Sequence, residues 1–336
     1  MITSHKSLAW LLPALLASAA AADVTVYGQL NVGLIFDRTT AVSQVKIDNL
    51  YLPSRLGFKG GEDLGDGMKA FFQIESRVNP DDAGATSFAD REGWIGISGS
   101  FGKIGLGRGK SPYTNTSDLY DISDGAIGFG IWSVDTITNS GIGSGSVARI
   151  NNSIRYDSPN LSGFTSSIMY GFGENKSNDA GKGTTGILSA NAAYNADPFG
   201  VVGAYSHIGN ANGIDGQNKN ALLLGASYRF EKLKAQIGWQ HGQIDKFSAG
   251  KDYKRDSGIA TLVYDDKPFL WRAGIIQAGT AKLAGSDVKD SKFTQYVLGL
   301  KYGLSPRTNL LLEYVGRDIK VGNDPRALTL GMLHVF

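Results

Sequence analysis

From Val24 onward, apolar and polar side chains alternate with a period of two along most of this 336-residue chain. Val24, Val26, Leu30, Val32 and Leu34 fall on one face, and Thr25, Tyr27, Gln29 and Asn31 on the other. Leu56 and Phe58 oppose Arg55 and Lys59, and Ala70, Phe72 and Ile74 oppose Lys69, Gln73, Glu75 and Arg77. Leu233, Ala235, Ile237 and Trp239 oppose Lys232, Lys234, Gln236 and Gln240. An amphipathic helix needs apolar positions three and four apart, whereas these are two apart, so the chain is all-β.

The connections alternate too. Turn-like ones (Asp63–Gly67, Gly99–Gly102, Asn195–Gly200, Ser305–Arg307) are interleaved with longer polar ones at 38–49, 79–87, 173–184, 209–218, 244–254, 280–291 and 316–325. Short and long connections in turn are the signature of an antiparallel up-and-down barrel with two unlike ends. Counting segments of about ten residues gives roughly sixteen strands, an even number that puts both termini at the short-turn end.

The polar face carries too many Lys, Arg, Glu and Gln residues to be buried in a dry core. On the apolar face, Tyr194, Tyr228, Phe230, Trp239, Tyr264, Trp271, Tyr302 and Tyr314 cluster near segment ends, as interfacial aromatic belts do. This implies a transmembrane barrel, apolar outside and water-filled inside, with every strand edge paired. Residues 1–22 read as a secretory signal peptide: a positive start with Lys6, an apolar run from Leu8 to Leu16, and Ala20-Ala21-Ala22 as the cleavage site. Residues 23–336 are then one barrel domain. No later apolar run reaches the ~20 residues a membrane helix needs. With Cys 0 there is neither disulfide nor thiolate chemistry, and a net charge of +2 gives no reason to expect nucleic acid.

Between Ser111 and Val147 the alternation stops. This stretch carries Asp118, Asp121, Asp124 and Asp135 and a Gly/Ser run at 141–145. A strand-free segment of that length in a regular chain is functional or disordered. The reading adopted is a loop folded into the barrel mouth, its acidic edge opposite basic wall residues.

Four stretches resemble the Gram-negative general-diffusion porins, specifically their neisserial and β-proteobacterial branch. They are Val24-Thr-Val-Tyr-Gly28, Ser54-Arg-Leu-Gly-Phe-Lys-Gly-Gly-Glu-Asp-Leu-Gly-Asp-Gly67, Arg91 through Phe101-Gly-Lys-Ile-Gly-Leu-Gly-Arg108, and Arg149-Ile-Asn-Asn-Ser-Ile-Arg-Tyr-Asp-Ser-Pro159. The end, Leu328–Phe336, is similar to that family's closing strand, whose terminal Phe is read by the outer-membrane insertion machinery. The resemblance implies a sixteen-stranded barrel in the outer membrane, a homotrimer, and passive diffusion of ions and small hydrophilic solutes. It also implies a third long loop that narrows the pore, here 111–147, facing basic wall residues. By context these match Arg55, Arg149 and Arg91. Gln29 stands where some enteric relatives carry Lys, and the enteric loop's Pro-Glu-Phe-Gly-Gly signature is absent.

Alternation independently turns Arg55 and Arg149 inward, while Arg91 shares parity with Ile95 and Ile97, so a bulge intervenes or it is not a wall residue. Lys59, Lys69 and Arg77 also point inward. The expected constriction is therefore Arg55, Arg91, Arg149, Lys59, Lys69 and Arg77 against Asp118, Asp121 and Asp124, with a mild anion preference. Phe336 is expected to be the assembly signal.

Competing motifs are weak. Gly181-Lys-Gly-Thr-Thr-Gly186 fits a dinucleotide fingerprint by letter, but no helix pattern follows it. Gly109-Lys-Ser111 lacks the spacing of a phosphate loop. His5, His207, His241 and His334 share no metal-ligand spacing, and no nucleophile elbow is visible. The loop carboxylates are read as solvated or Arg-paired rather than as a divalent-cation site. No enzyme, cofactor or metal is expected. The alternative to a general porin is a substrate-specific outer-membrane channel with a saturable anion- or sugar-binding site.

Overall fold

A computed structural model describes residues 23–38, 42–82, 84, 87–128, 148–175, 178–179, 182–322 and 324–336. The loop segment 129–147, which includes Asp135, and the leader 1–22 lie outside the described residues.

The strands are β1 (Asp23–Asp37), β2 (Gln44–Asn49), β3 (Arg55–Gly65), β4 (Met68–Arg77), β5 (Glu92–Gly99), β6 (Gly102–Lys110), β7 (Arg149–Asp157), β8 (Phe164–Gly171), β9 (Gly186–Ala196) and β10 (Phe199–Gly209). They continue as β11 (Lys219–Phe230), β12 (Leu233–Ser248), β13 (Lys251–Asp266), β14 (Phe269–Ala278), β15 (Lys282–Leu283), β16 (Ser286–Asp287), β17 (Phe293–Gly303), β18 (Thr308–Ile319) and β19 (Arg326–Val335). All belong to one antiparallel sheet. β2 and β3 flank the same side of β1 and together act as a single interrupted wall strand, and β15–β16 is a small hairpin in the connection after β14. The described residues thus form a closed wall of sixteen strands.

Closure comes from β1 pairing β19, from Gln29 opposite Val335 to Asp37 opposite Ala327. The ladder runs on to the last residue: Gly28 N–H donates to the Phe336 carbonyl and Phe336 N–H to the Gly28 carbonyl, both at 3.1 Å. The Phe336 ring lies where a Gly28 side chain would be, at 2.6 Å from an ideal Cβ, so a glycine there lets the terminal ring cover the seam. With no free edge, every wall strand meets the bilayer's demand for paired backbone groups.

Leu30, Leu34, Ile95, Ile97, Leu224, Ile237, Leu298 and Leu330 are exposed on the outer surface, where lipid replaces water. Gln29, Asn31, Ser189, Gln236, Gln295 and Glu313 are buried inside. Aromatic pairs ring the short-turn end: Phe199 meets Tyr228 at 4.8 Å between ring centroids, and Phe269 meets Tyr302 at 5.1 Å. Toward the other end, Tyr170 meets Phe172 at 5.1 Å and Tyr296 meets Tyr314 at 6.1 Å.

Two expectations need correction. The polar connection placed at 244–254 is largely strand, because β12 and β13 run on past a register slip after Ile244 to Ser248 opposite Lys251. The inner wall is also not uniformly polar. Leu223, Ile244, Ile276 and Val297 face inward and are fully buried in one cluster with the loop residues Tyr113, Tyr120 and Ile122 and with Tyr253 and Ala281. Alternation marks a face as apolar, but it does not register a second apolar face covered from within.

Candidate functional site: a charged neck beside an anchored loop

The connection from β6 to β7 enters the lumen at once. Ser111 caps helix α1 (Pro112–Ser117), its Oγ accepting from Thr114 N–H at 3.1 Å, with Pro112 at the first turn. The helix is docked on the wall of β9: Tyr113 N–H donates to Ser189 Oγ at 2.9 Å, and Asn191 Nδ2 donates to the Pro112 carbonyl and Thr116 Oγ1 at 3.2 and 3.0 Å. Tyr120 then lies across the wall at Gly225 and Gly238, while Gln236 Nε2 holds the Leu119 carbonyl at 2.9 Å. Burial pushes the Tyr120 hydroxyl up to about 12.

Farther on, the loop is fixed by a charged latch. Glu313, 1 % exposed, accepts from Ser123 Oγ at 2.5 Å, Gly125 N–H at 2.8 Å and Asp124 N–H at 3.1 Å. Arg272 bridges it to Asp124, at 3.1 Å to Glu313 and 2.6 Å to Asp124, and Lys301 reaches Asp124 at 2.7 Å. Two cations thus face two carboxylates, which compensates the cost of burying each. Burial works to raise the Asp124 carboxyl, but Arg272 and Lys301 outweigh it and hold Asp124 below its ordinary value. Ala126 N–H to Thr329 Oγ1 at 3.1 Å, Gln295 Nε2 to the Gly128 carbonyl at 2.8 Å and Tyr51 N–H to the Gly125 carbonyl at 2.7 Å add to the attachment.

The opposite wall is basic. A cavity of about 360 Å³ is lined by six cationic side chains (Arg55, Arg91, Lys103, Lys110, Arg149, Arg155) and three carboxylates (Glu75, Glu92, Asp157). A second, of about 420 Å³, adjoins the loop and is lined by Arg77, Arg91, Lys110 and Arg149 together with Asp118, Asp121 and Asp124. Wall carboxylates thread the cations: Glu75 lies 2.6 Å from Arg91 and 3.5 Å from Arg55, and Glu92 lies 3.8 Å from Arg149. Arg155 is paired to Asp157 at 2.6 Å, and Lys110 to Asp118 of the loop.

The structure therefore gathers Arg55, Arg91 and Arg149, with Arg77 at the loop side. Arg91 precedes the first residue of β5, so strand parity does not apply to it, and its side chain turns in to Glu75. Arg149 is inward, but not by simple alternation. The register slips between Gly107 and Gly109, Asn152 adopts φ 45°, and Ile150 is buried. Lys59 and Lys69 line neither cavity. They sit nearer the short-turn end, where Lys59 lies 5.2 Å from the Tyr27 ring centroid and Lys69 pairs in register with Ser98. Alternation fixes a residue's face, not its depth. Asp118 and Asp121 border the neck, whereas the Asp124 carboxylate is committed to the latch. Among the described residues no cluster of three His, Cys, Asp or Glu is placed to hold a metal.

Lys110 escaped sequence reasoning because it shares parity with the lipid-facing Leu106, and only the slip at Gly107 turns it inward. Glu313 was hidden in the apolar run Leu310-Leu-Leu-Glu-Tyr314. Its one signal is a carboxylate on the inward parity of Leu311 and Val315, which demands a buried partner. At Lys182–Gly186 the chain leads into β9 rather than a helix, which leaves the fingerprint-like glycines without nucleotide-binding context.

A closed barrel with lipid-facing apolar residues and a charged, water-accessible lumen defines an outer-membrane channel. A family model described as Gram-negative porin matches residues 8–318, and the chain belongs to that family. It is 30% identical over 322 residues to the major outer membrane protein P.IB of Neisseria meningitidis serogroup B / serotype 15 (strain H44/76), with 92% of each chain covered. Among solved structures it is similar to an anion-selective porin from Comamonas acidovorans, with TM-score 0.80, 24% identity, and 94% of this chain and 100% of that chain covered. It is also similar to the trimer form of OmpT, an outer membrane protein of Vibrio cholerae, with TM-score 0.71, 15% identity, and 94% and 100% covered. The protein is an outer-membrane porin, and the family's members are channels rather than enzymes.

Proposed function

We propose that this porin passes small hydrophilic solutes through a neck bounded by Arg55, Arg91, Lys110 and Arg149 on one side and the loop residues 111–128 on the other, with a mild preference for anions. The carrying observation is the excess of cations over carboxylates around the wall-side cavity, six against three. Fixed charge beside a low-dielectric wall biases which ions enter. Asp124, the most deeply buried of the described loop carboxylates, is balanced by Arg272 and Lys301 and adds little negative potential to the neck. The anion selectivity stated for the similar Comamonas porin agrees with this reading. In planar bilayers under a KCl gradient, the wild type is expected to show an anion-selective reversal potential. Replacing Arg55 and Arg149 together by Ser should move it toward cation selectivity. An unmoved potential would place the selecting charges elsewhere.

Assembly as a homotrimer through the outer face of the early strands fits the exposed Val26, Leu30, Ile95 and Ile97, and the trimer form described for the similar Vibrio protein. Residues 1–22 would be removed on export, and Phe336, at the seam, would serve the insertion machinery. A monomer by light scattering in mild detergent would refute the trimer, and normal assembly without Phe336 would refute the signal.

A further inference from the structure

We propose that the basic side of the neck contains a subsite for small aromatic carboxylates, built on a platform formed by Phe71 and Trp94. The inference rests on the anion-preferring neck described above and adds a solute class to it. Both side chains line the wall-side cavity. Their rings reach over β5 and β6 at positions left open by glycines. An ideal Cβ on Gly96 would fall 2.6 Å from Phe71 Cζ, and one on Gly105 would fall 3.2 Å from Trp94 Cε3 and 3.4 Å from Phe71 Cζ. Gly109 likewise makes room for the indole, whose Nε1 donates to Glu92 Oε2 at 2.7 Å and fixes the ring's orientation. The Lys103 ammonium stands 4.0 Å from the Phe71 ring centroid.

In a lumen where water and ions pass, two aromatic rings beside a glycine floor offer an apolar surface, with the Lys103 ammonium over Phe71 and the indole next to it. Around that surface stand Lys103, Arg155, Arg149 and Lys110, with fewer carboxylates than cations. A carboxylate accepts from guanidinium or ammonium donors, and a ring attached to it gains a stacking partner that an aliphatic anion lacks. The cavity, about 360 Å³, falls at the lower end of small-molecule sites and fits a single-ring solute.

The test measures block of the KCl current by benzoate, cyclohexanecarboxylate and acetate at neutral pH, on the full chain in planar bilayers. Benzoate should half-block at a concentration roughly two- to tenfold lower than cyclohexanecarboxylate, the worth of one aromatic contact. Phe71→Leu keeps an apolar side chain of similar bulk and breaks no hydrogen bond. It should reduce that difference while the reversal potential in KCl stays as in the wild type. Lys103→Gln should weaken block by both ring carboxylates. Equal block by benzoate and cyclohexanecarboxylate, with anion preference intact, would overturn the subsite and leave the neck standing. Loss of anion preference in the wild type would instead overturn the neck.

Discussion

On the half of the inner wall made by β3–β7, Arg55, Lys103, Arg149 and Arg155 alternate with Glu75, Glu92 and Asp157 around an open cavity of about 360 Å³. On the half from β10 to β18, Leu223, Ile276 and Val297 are sealed under Tyr113, Tyr120 and Ile122. The same period-two strand supplies both halves, and the difference lies in what covers them. A loop crossing a wet lumen needs somewhere dry to settle, because ordering it costs conformational entropy that burial and hydrogen bonds must offset. The apolar half provides that ground. The latch at Glu313 fixes the loop's register, and the charged half stays open to solute. Positioning and selection are thereby assigned to opposite walls.

The comparison breaks most sharply at the latch. Arg272→Met leaves the Glu313 and Asp124 carboxylates buried without their shared cation, which costs about 3–5 kcal/mol when one partner of a buried pair is removed. The expected outcome is a lower unfolding temperature in detergent, together with noisier and larger single-channel currents. A quiet channel of wild-type stability would show that the latch is dispensable. Next in size is Leu223→Ala, which opens a void beneath the loop and should cost about 2–5 kcal/mol, read by thermal unfolding, with ion selectivity little changed.

Replacing Arg55 alone by Ser probes the other wall. Its side chain is 26% exposed and its partner Glu75 keeps Arg91, so stability should fall by about 1 kcal/mol or less while the KCl reversal potential moves toward cations. A stability loss as large as that of Arg272→Met would erase the distinction between the two walls.

The smallest effect is a pH dependence. Because the Asp124 carboxyl is held below its ordinary value, its stabilising contribution is complete above the ordinary carboxylate range and declines as pH falls through the depressed folded value. Single-channel current should stay quiet at neutral pH and become noisy only below the ordinary carboxylate range. Noise that begins near pH 6 would implicate another group.

Much of this was legible in the sequence, for identifiable reasons. A lipid-facing strand must present apolar residues at every second position, so the wall, its closure and the inward direction of Arg55 follow from pattern alone. The break in alternation at Ser111 marks the loop equally well. What alternation cannot carry is which inward residues share a cavity, so that Lys59 and Lys69 point inward yet line neither one, or a register slip, which conceals Lys110 and turns Ile150 inward. It is also silent on inward apolar residues such as Leu223 and Ile276, since an apolar residue in a membrane strand reads as lipid-facing. That Asp124 also belongs to a latch is not legible in the sequence, because its partners, Arg272 and Lys301, lie more than a hundred residues away.

The central claim, that the loop rests on the far wall and leaves the basic wall open, is tested most directly by tying it there. The chain has no cysteine, so Ala126→Cys with Thr329→Cys gives a clean pair at a point where loop backbone and wall side chain already touch at 3.1 Å. The account predicts that oxidation forms the cross-link and that conductance and reversal potential in a KCl gradient match those of the reduced channel. A cross-linked channel with a different conductance or selectivity would mean that the conducting state holds the loop somewhere else.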